Sequence, residues 1–318
     1  VFCFFPTMRW LRPSTVNYLR VEAARGCAQL SGTTLQIDGV KDVIAVASGR
    51  AGSGGSTTAV NLAVALANVC KLKVGLLDAD AFGPFIPSMM KLDGKPEMSQ
   101  GDLKIVPTEN YGIKCMSMGY FVKKDAPYEW RVPMVMNAFE KMASKVDWGG
   151  LDILVMDMPP GTGYAQKSIA QRLQLSGALF ISNPQDAELI RRGVDTFRNV
   201  EIPILGIIEN KSCFKCPHCA EPWFIFGKGE VHKKTEDMRL DYLGDIPIEV
   251  EIRSTDKGIP VVISAPDSLV SKIYGDMAQK VVGKLKKLTE EELYPDFSPT
   301  NSAAYTRHSS YTMVDGPL

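Results

Sequence analysis

Residues 48–58 read SGRAGSGGSTT, a glycine-rich stretch between an apolar run and a helical pattern. Glycines allow the backbone to turn tightly and to direct its N–H groups toward an anion, and the following helix adds the positive end of its dipole. The hydroxyls of Ser56 and Thr57 suit Mg²⁺ and phosphate oxygens. The stretch therefore predicts a phosphate-binding loop, although Gly55 stands where such a loop needs its lysine. An ordinary glycine-rich turn is the alternative.

Carboxylates close two of the apolar runs. Asp78 and Asp80 end the run LLDAD, and Asp157 ends ILVMD. Alternation along a strand places the first two on one face, and the carboxyl ends of parallel strands lie beside a phosphate loop. Such oxygens can hold Mg²⁺ directly or through water. The sequence thus predicts a magnesium–nucleotide site, and each aspartate taken alone is equally compatible with a cap or a turn.

Three of the seven cysteines lie together in the segment CFKCPHC. Cys216 and Cys219 have the C-x-x-C spacing that allows two thiolates to bind one metal centre. Two thiolates fill half of a four-thiolate shell, and either Cys213 with His218 or the same pair from a second chain could complete it. Zinc and an iron–sulfur cluster both suit this spacing. A redox dithiol is a third possibility, but here the pair does not open a helix after a first strand.

Apolar β-rich runs alternate with helical patterns through the middle of the chain. The predicted strands are 42–48, 73–80, 113–119, 151–158, 177–183 and 202–210. The predicted helices lie near 57–69, 133–146, 165–175, 186–199 and 266–287. This alternation predicts an α/β fold with a doubly wound, mostly parallel sheet in a single domain, and it places ligands at the carboxyl ends of the strands.

Composition narrows the classes of function. Lys plus Arg and Asp plus Glu each number 36, so the net charge is +0 and gives no support to nucleic-acid binding. The sequence contains no apolar run long enough for a transmembrane helix. An odd number of cysteines argues against a disulfide framework and favours a reducing compartment.

Both ends of the chain differ from the middle. Residues 1–38 begin with a segment that carries Arg9, Arg12 and Arg20 and no acid before Glu22, which is typical of an organelle transit peptide. A disordered basic arm is the alternative. Residues 289–318 are polar and contain three prolines, so we expect a mostly disordered tail. The domain is therefore expected to span residues 39–288.

The motifs taken together resemble the P-loop ATPases with a deviant Walker A loop, G-K-G-G-x-G-K-[ST]-T. Within that class the chain is similar to the Mrp-type branch, and there to the mitochondrial iron–sulfur proteins that assemble respiratory complex I. The resemblance covers about residues 39–287. Its motifs, in order, are LLDADAFGPFIPSMM, MSMGY, WRVPMVM, MDMPPGTGY, SNPQD, IIENKSCFKCPHC and IFGKG.

The resemblance implies a role for each matching residue. It implies nucleotide binding by Gly49, Arg50, Gly52, Gly54, Gly55, Ser56, Thr57 and Asn210, where a turn-forming Asn210 is the alternative. It implies magnesium binding by Ser56, Asp78 and Asp157, and catalytic roles for Asp80 and Arg50. It further implies a [4Fe–4S] cluster held by Cys216 and Cys219 of two chains. Trp223, Phe224 and Phe226 would shield that site or pack a dimer seam, with core packing as the alternative.

Three departures from the family pattern concern the nucleotide. The phosphate-gripping lysine falls on Gly55, the signature lysine falls on Arg50, and the aspartate that ends P-P-G-T-G-D falls on Tyr164. We therefore expect ATP with Mg²⁺ to bind weakly or not at all, and hydrolysis to be close to background. Loss of the main cation beside the phosphates removes charge stabilisation on which phosphoryl transfer depends.

The expected function is binding and transfer of an iron–sulfur cluster for complex I assembly, by a homodimer in the mitochondrial matrix. The cytoplasm is the alternative location. The expected partners are iron–sulfur apoproteins such as complex I subunits, with no nucleic acid. The alternative function is that of a catalytically dead paralogue that serves as a binding or regulatory partner, with zinc in the cysteine site.

Overall fold

The computed structural model describes residues 34–81, 83–99, 104–121, 132–216, 218–219 and 221–293. The segments 1–33 and 294–318 lie outside the described residues, so the transit-peptide prediction and most of the tail prediction stay predictions. Within the described part of the chain, no helix combines the length and the apolar character that crossing a membrane requires.

A largely parallel sheet forms the centre of the fold. Seven strands run parallel in the order β11-β9-β8-β1-β7-β2-β6. Their bounds are β1 Val40–Ser48, β2 Val74–Asp78, β6 Ile113–Ser117, β7 Leu151–Asp157, β8 Gly177–Ser182, β9 Ile204–Lys215 and β11 Tyr242–Ile248. The six predicted strands are all present, and β1 lies in the middle, between β7 and β8. The central position of β1 puts the glycine-rich stretch that follows it at the middle of the sheet edge.

Short antiparallel strands extend the sheet. Their bounds are β3 Glu97–Met98, β4 Ile105–Val106, β5 Thr108–Asn110 and β10 Pro222–Trp223. β5 pairs with β6 at one edge, β10 pairs with the far end of β9, and β3 pairs with β4 as a separate ribbon. The apolar pattern predicted none of these, because they are two or three residues long and mostly exposed.

Helices cover both faces of the sheet. Their bounds are α1 Gly55–Asn68, α2 Ile86–Met89, α3 Val132–Lys145, α4 Tyr164–Arg172, α5 Ala187–Arg198, α6 Glu230–Asp237, α7 Arg253–Asp256, α8 Val261–Ser264 and α9 Leu269–Leu293. One apolar layer packs α1 and α9 against the sheet, and the other packs α3, α4 and α5. Since each fully buried aliphatic or aromatic side chain contributes roughly 1.5–3 kcal/mol, these two layers hold the sheet edge in place.

Ordered structure extends beyond residues 39–288 at both ends. Residues 34–38 are part of the folded domain, because Ile37 is buried in the core and the backbone of Leu35 is hydrogen-bonded to Arg172 and Gln174. At the other end, α9 continues to Leu293 instead of stopping before residue 289. The extension TEEEL contains the strong helix formers Glu and Leu, which favour continuation of the helix.

Candidate functional site

The glycine-rich loop forms the expected turn between β1 and α1. Gly52 and Gly54 have left-handed backbones, with φ of 84° and 90°, and Gly54 is the residue directly before α1. Ser53 closes the loop, because its backbone N–H and its hydroxyl both donate to the carbonyl of Arg50, at 3.3 and 2.8 Å. The helix N-terminus and the loop N–H groups therefore lie at the carboxyl edge of the sheet, as a phosphate site requires.

Gly54→Ala is expected to destabilise the protein more than Gly52→Ala. Both substitutions place a side chain at positive φ, which costs roughly 1–2 kcal/mol. At position 54 a Cβ would also lie 2.0 Å from Nδ2 of Asn210, whereas at position 52 it would meet no atom within 4 Å. The collision must displace Asn210 and adds about 1–3 kcal/mol. Thermal unfolding of the two variants measures the difference, and equal losses in Tm would contradict the collision.

Gly55 opens α1 with room for a side chain. A Cβ at this position would lie 3.5 Å from Ser48 Oγ and 3.8 Å from Asp157 Oδ1, which are ordinary van der Waals distances. The backbone at position 55 therefore leaves room for the Cβ of a lysine.

The three aspartates meet at the sheet edge beside this position. Asp78 Oδ2 accepts from the Ser117 hydroxyl at 2.8 Å, and its Oδ1 accepts from the backbone N–H of Asp80 at 3.1 Å. Asp157 accepts a hydrogen bond from Ser56, but its Oδ2 has no hydrogen-bond partner among the described residues. Burial raises the pKa of Asp78 and of Asp157, and the charge of the neighbouring aspartates raises them further. A cation here would satisfy the orphaned oxygen and relieve this repulsion.

Arg50 forms an ion pair outside the cluster of Asp78, Asp80 and Asp157. Its Nη1 lies 3.1 Å from Oδ1 of Asp186, the buried residue directly before α5. Ser53 Oγ donates to the other oxygen of the same carboxylate at 3.4 Å. In this structure the guanidinium charge is therefore balanced by Asp186, and Arg50 does not take the place of the missing lysine.

A cavity of about 530 Å³ adjoins the loop. Its lining includes Gly52, Gly54, Gly55, Ser56, Thr57, Asp80, Asp157 and Asn210, so the structure brings most of the predicted nucleotide and magnesium residues together. Gly49 directly follows β1 and packs closely against Leu189. Asn210 is fixed there because its Nδ2 donates to the carbonyl of Ser53 at 2.8 Å.

The far wall of the cavity was missed by sequence reasoning. It consists of the end of β11, with Pro247, and of the residues that follow the strand, among them Ile252 and Arg253. Buried Asn61 of α1 anchors this wall, because its Nδ2 donates to Thr255 Oγ1 at 3.1 Å and its Oδ1 accepts from the backbone N–H of Val261 at 2.8 Å. A polar residue within the otherwise apolar pattern of α1 was the only signal in the sequence.

A second missed residue joins the loop to the PPGTG segment. Gln166 of α4 is buried, and its Nε2 donates to the carbonyls of Ser48 and Pro159 at 3.1 and 2.8 Å. Gln166 therefore couples the position of the end of β1 to the position of the PPGTG segment. Nothing in the local sequence distinguishes Gln166 from a solvent-facing helical glutamine.

The cysteines lie at the tip of a hairpin. β9 extends beyond the rest of the sheet to Lys215, and β10 returns alongside it, with Phe214 opposite Trp223. The backbone N–H of Cys216 donates to the carbonyl of Glu221 at 3.0 Å and closes the turn. This arrangement leaves Cys219 exposed and Cys216 half-exposed.

The turn at the hairpin tip is suited to a thiolate. Backbone N–H groups of Cys219 and His218 donate to the Cys216 sulfur, and these hydrogen bonds lower the pKa of that thiol. Cys213 lies on β9 before the turn. Among the described residues, no group of three or more His, Cys, Asp or Glu side chains is arranged to hold a metal ion. The described part of one chain therefore offers a pair of thiols.

Apolar side chains surround the hairpin. Trp223 is 64% exposed and Ile225 is 59% exposed, while the Lys228 ammonium lies 4.6 Å from the ring centre of Phe224. Trp223 thus does not belong to the core, which was the alternative for this residue. Phe226 lines the cavity described above, so the segment from Trp223 to Phe226 connects the hairpin to the cavity.

Known proteins match most of the chain. A family model described as ParA, NUBPL iron-transfer P-loop NTPase, matches residues 39–282. The iron–sulfur protein required for NADH dehydrogenase, mitochondrial, of Arabidopsis thaliana is 55% identical over 289 residues, 89% of this chain and 92% of that protein. The iron–sulfur cluster transfer protein NUBPL of Mus musculus is 50% identical over 258 residues, 80% of this chain and 81% of that protein.

A solved structure is similar as well. The nucleotide-binding protein of Archaeoglobus fulgidus, in complex with ADP, is 30% identical, with a TM-score of 0.64 over 74% of this chain and 93% of that one. Its likeness confirms the predicted α/β P-loop NTPase fold with its mostly parallel sheet.

Proposed function

Because this chain belongs to the family of NUBPL iron-transfer P-loop NTPases, we propose that it binds an iron–sulfur cluster and transfers it to apoproteins during complex I assembly. The observation that carries this proposal is the thiol pair at the tip of the β9–β10 hairpin, where Cys219 is exposed and Cys216 half-exposed, so that an acceptor could approach both. The relative from Mus musculus is named as an iron–sulfur cluster transfer protein, and the relative from Arabidopsis thaliana as an iron–sulfur protein required for NADH dehydrogenase.

The cluster that we propose as cargo is a [4Fe–4S] cluster shared by two chains. Such a cluster takes four thiolates, and Cys216 and Cys219 provide two of them. Exposed Trp223 and Ile225 beside the thiols would be covered when a second hairpin approaches. The N–H groups of Cys219 and His218 favour the thiolate form of Cys216, which is the form that binds iron.

Loading with the cluster is expected to raise the fraction of dimer. Binding of a ligand that needs two chains shifts the equilibrium toward the assembled form by mass action. Anaerobic reconstitution with iron and sulfide, followed by light scattering of the apo and loaded protein, measures this shift. A protein that carries a full cluster and remains strictly monomeric would show that all ligands come from one chain. Uptake of zinc with no uptake of iron and sulfide would contradict the cluster itself.

We further propose that the loop retains weak binding of a magnesium nucleotide. The left-handed glycines, Ser56, Thr57 and the start of α1 still provide the backbone cradle for phosphate. Asp157, with its orphaned buried oxygen, Asp78 and Ser56 would hold Mg²⁺, which would neutralise phosphate charge. Asp80 lines the same cavity and would orient water, and Asn210 would contact the base.

The location that we propose is the mitochondrial matrix. The support is the printed name of the Arabidopsis thaliana relative, which includes the word mitochondrial, together with the acid-free basic segment before Glu22. Protease protection in intact and in swollen mitochondria tests this location, and digestion in intact organelles would contradict it.

A further inference from the structure

We propose that Lys211 supplies the positive charge that the phosphate loop lacks at Gly55, by contacting the phosphates of a bound nucleotide. This inference rests on the proposed binding of nucleotide and names the residue that makes it possible in this chain. Its basis is the position of the Lys211 ammonium, whose Nζ lies 2.8 Å from the carbonyl oxygen of Gly52, in the middle of the loop.

The backbone of Lys211 is held in an unusual conformation. Its φ is +57°, in the left-handed region that lysine rarely adopts because its Cβ crowds the backbone there. It follows Asn210, whose side chain binds the carbonyl of Ser53 at 2.8 Å, so two successive residues of β9 contact two successive carbonyls of the loop. The pairing of β9 with β11 also becomes irregular beyond Asn210. Strain of this kind, maintained next to a ligand cavity, favours a functional role for the residue.

Charge distinguishes Lys211 from the other candidate cations. Among the described residues that line the cavity, the positively charged side chains are Lys211 and Arg253. Arg253 lies on the far wall together with two acids that line the same cavity, Glu249 and Asp256. Arg50 is paired with Asp186. Within the described part of the chain Lys211 forms no ion pair, so its charge is available to an anion in the loop.

The chemistry of this contact is simple. In the absence of an anion the ammonium donates to a neutral carbonyl, and a phosphate bound in the cavity that Lys211 lines would offer it a stronger, charged acceptor. A hydrogen bond to a charged group is worth enough to change affinity by about tenfold or more. The contribution of Lys211 to nucleotide affinity should decrease when a second cation contacts the same phosphates, because the two positive charges then share one negative charge.

The test compares the Kd for Mg-ADP in the wild-type chain, Lys211→Gln, Lys211→Met and Lys211→Arg, by calorimetric titration at two ionic strengths. Lys211→Gln keeps a donor for the Gly52 carbonyl and removes the charge. We expect both neutral variants to bind about tenfold more weakly and with less dependence on salt, and Lys211→Arg to retain most of the affinity. The matched control is Lys257→Met, which removes the same charge from an exposed residue outside the cavity lining. This variant is expected to bind Mg-ADP as the wild type does.

The outcomes separate this inference from the proposed function. If the wild-type chain binds Mg-ADP and Lys211→Gln binds it equally well, Lys211 only fastens the loop and the inference is wrong while nucleotide binding stands. If the wild-type chain does not bind Mg-ADP at all, both are wrong. In a Gly55→Lys background, removal of the Lys211 charge should cost less than in the wild type. An equal loss of affinity in both backgrounds would contradict the inference that Lys211 and the new lysine contact the same phosphates.

Discussion

Cys216→Ser and Cys219→Ser are each expected to abolish the visible absorbance of the reconstituted protein, whereas Cys213→Ser should retain most of it. The two essential sulfurs lie at the exposed tip of the β9–β10 hairpin. Cys213 precedes the turn and lies on the strand itself. A serine hydroxyl is a poor ligand for iron at neutral pH, because the thiolate and not the thiol or hydroxyl is the ligand that iron–sulfur clusters use.

Loss of one thiolate per chain should remove two of four from a bridged cluster, so the effect is expected to be nearly complete. Iron and acid-labile sulfide per chain, measured beside the absorption spectrum, quantify it. Cys115→Ser and Cys70→Ser are suitable controls, since both cysteines lie in or near the apolar core and away from the hairpin. Full occupancy in Cys216→Ser would exclude the proposed ligand pair.

Gly55→Lys is expected to strengthen binding of Mg-ATP by about tenfold to a hundredfold and to raise its hydrolysis much less. A charge-assisted contact to phosphate is worth about 1.5–3 kcal/mol, which corresponds to this range. The site accepts the new side chain, because a Cβ at position 55 lies at van der Waals distance from Ser48 and Asp157. The new side chain would start beside Asp157, whose pKa is raised by burial and by the charge of Asp80, so a cation would also be favoured by this carboxylate.

Turnover should recover less because two other departures remain. Tyr164 still occupies the aspartate position of the PPGTG segment. Arg50 still replaces the signature lysine, and it remains bound to Asp186. Phosphoryl transfer depends on several positioned charges at once, so one restored lysine improves binding before it improves the rate.

The comparison needs an uncharged control of similar length. Gly55→Met removes the same glycine, improves helix propensity to a similar degree and adds no charge. Titration with Mg-ATP and release of phosphate are measured for the wild type, Gly55→Met and Gly55→Lys. Equal hydrolysis by the wild type and Gly55→Lys would show that another residue already does the work of the lysine. Equal binding by Gly55→Met and Gly55→Lys would show that the backbone and not the charge limits affinity.

The central strands and the phosphate loop were predictable because their signals are local. A continuous apolar run such as that of β7 predicts a strand, and the glycines before α1 predict a turn, each from a few neighbouring residues. The three aspartates were predicted as site residues because each lies at or just after the end of a predicted strand. Their convergence on one edge follows from the parallel order of the sheet.

Other features depend on distant partners and left little trace in the sequence. β11 contains Gly244 and Pro247, which disfavour a strand, and it forms because β9 offers a free edge. β9 continues to Lys215 because β10 pairs with it. The pairing of Arg50 with Asp186 joins two loops that only the packing of β1 beside β8 brings together. The cavity wall after β11 was missed for the same reason.

Transfer of the cluster to an acceptor tests the central claim most directly. The protein is reconstituted anaerobically, separated from free iron and sulfide, and mixed with an apoprotein that has an empty four-cysteine [4Fe–4S] site. A chelator of free iron is present, so that only direct transfer is counted. We expect the acceptor to gain its cluster spectrum as this protein loses its own, and Cys216→Ser to support no transfer. Retention of the cluster without any transfer, or a reconstituted protein that holds only zinc, would contradict the account and favour a binding or regulatory partner.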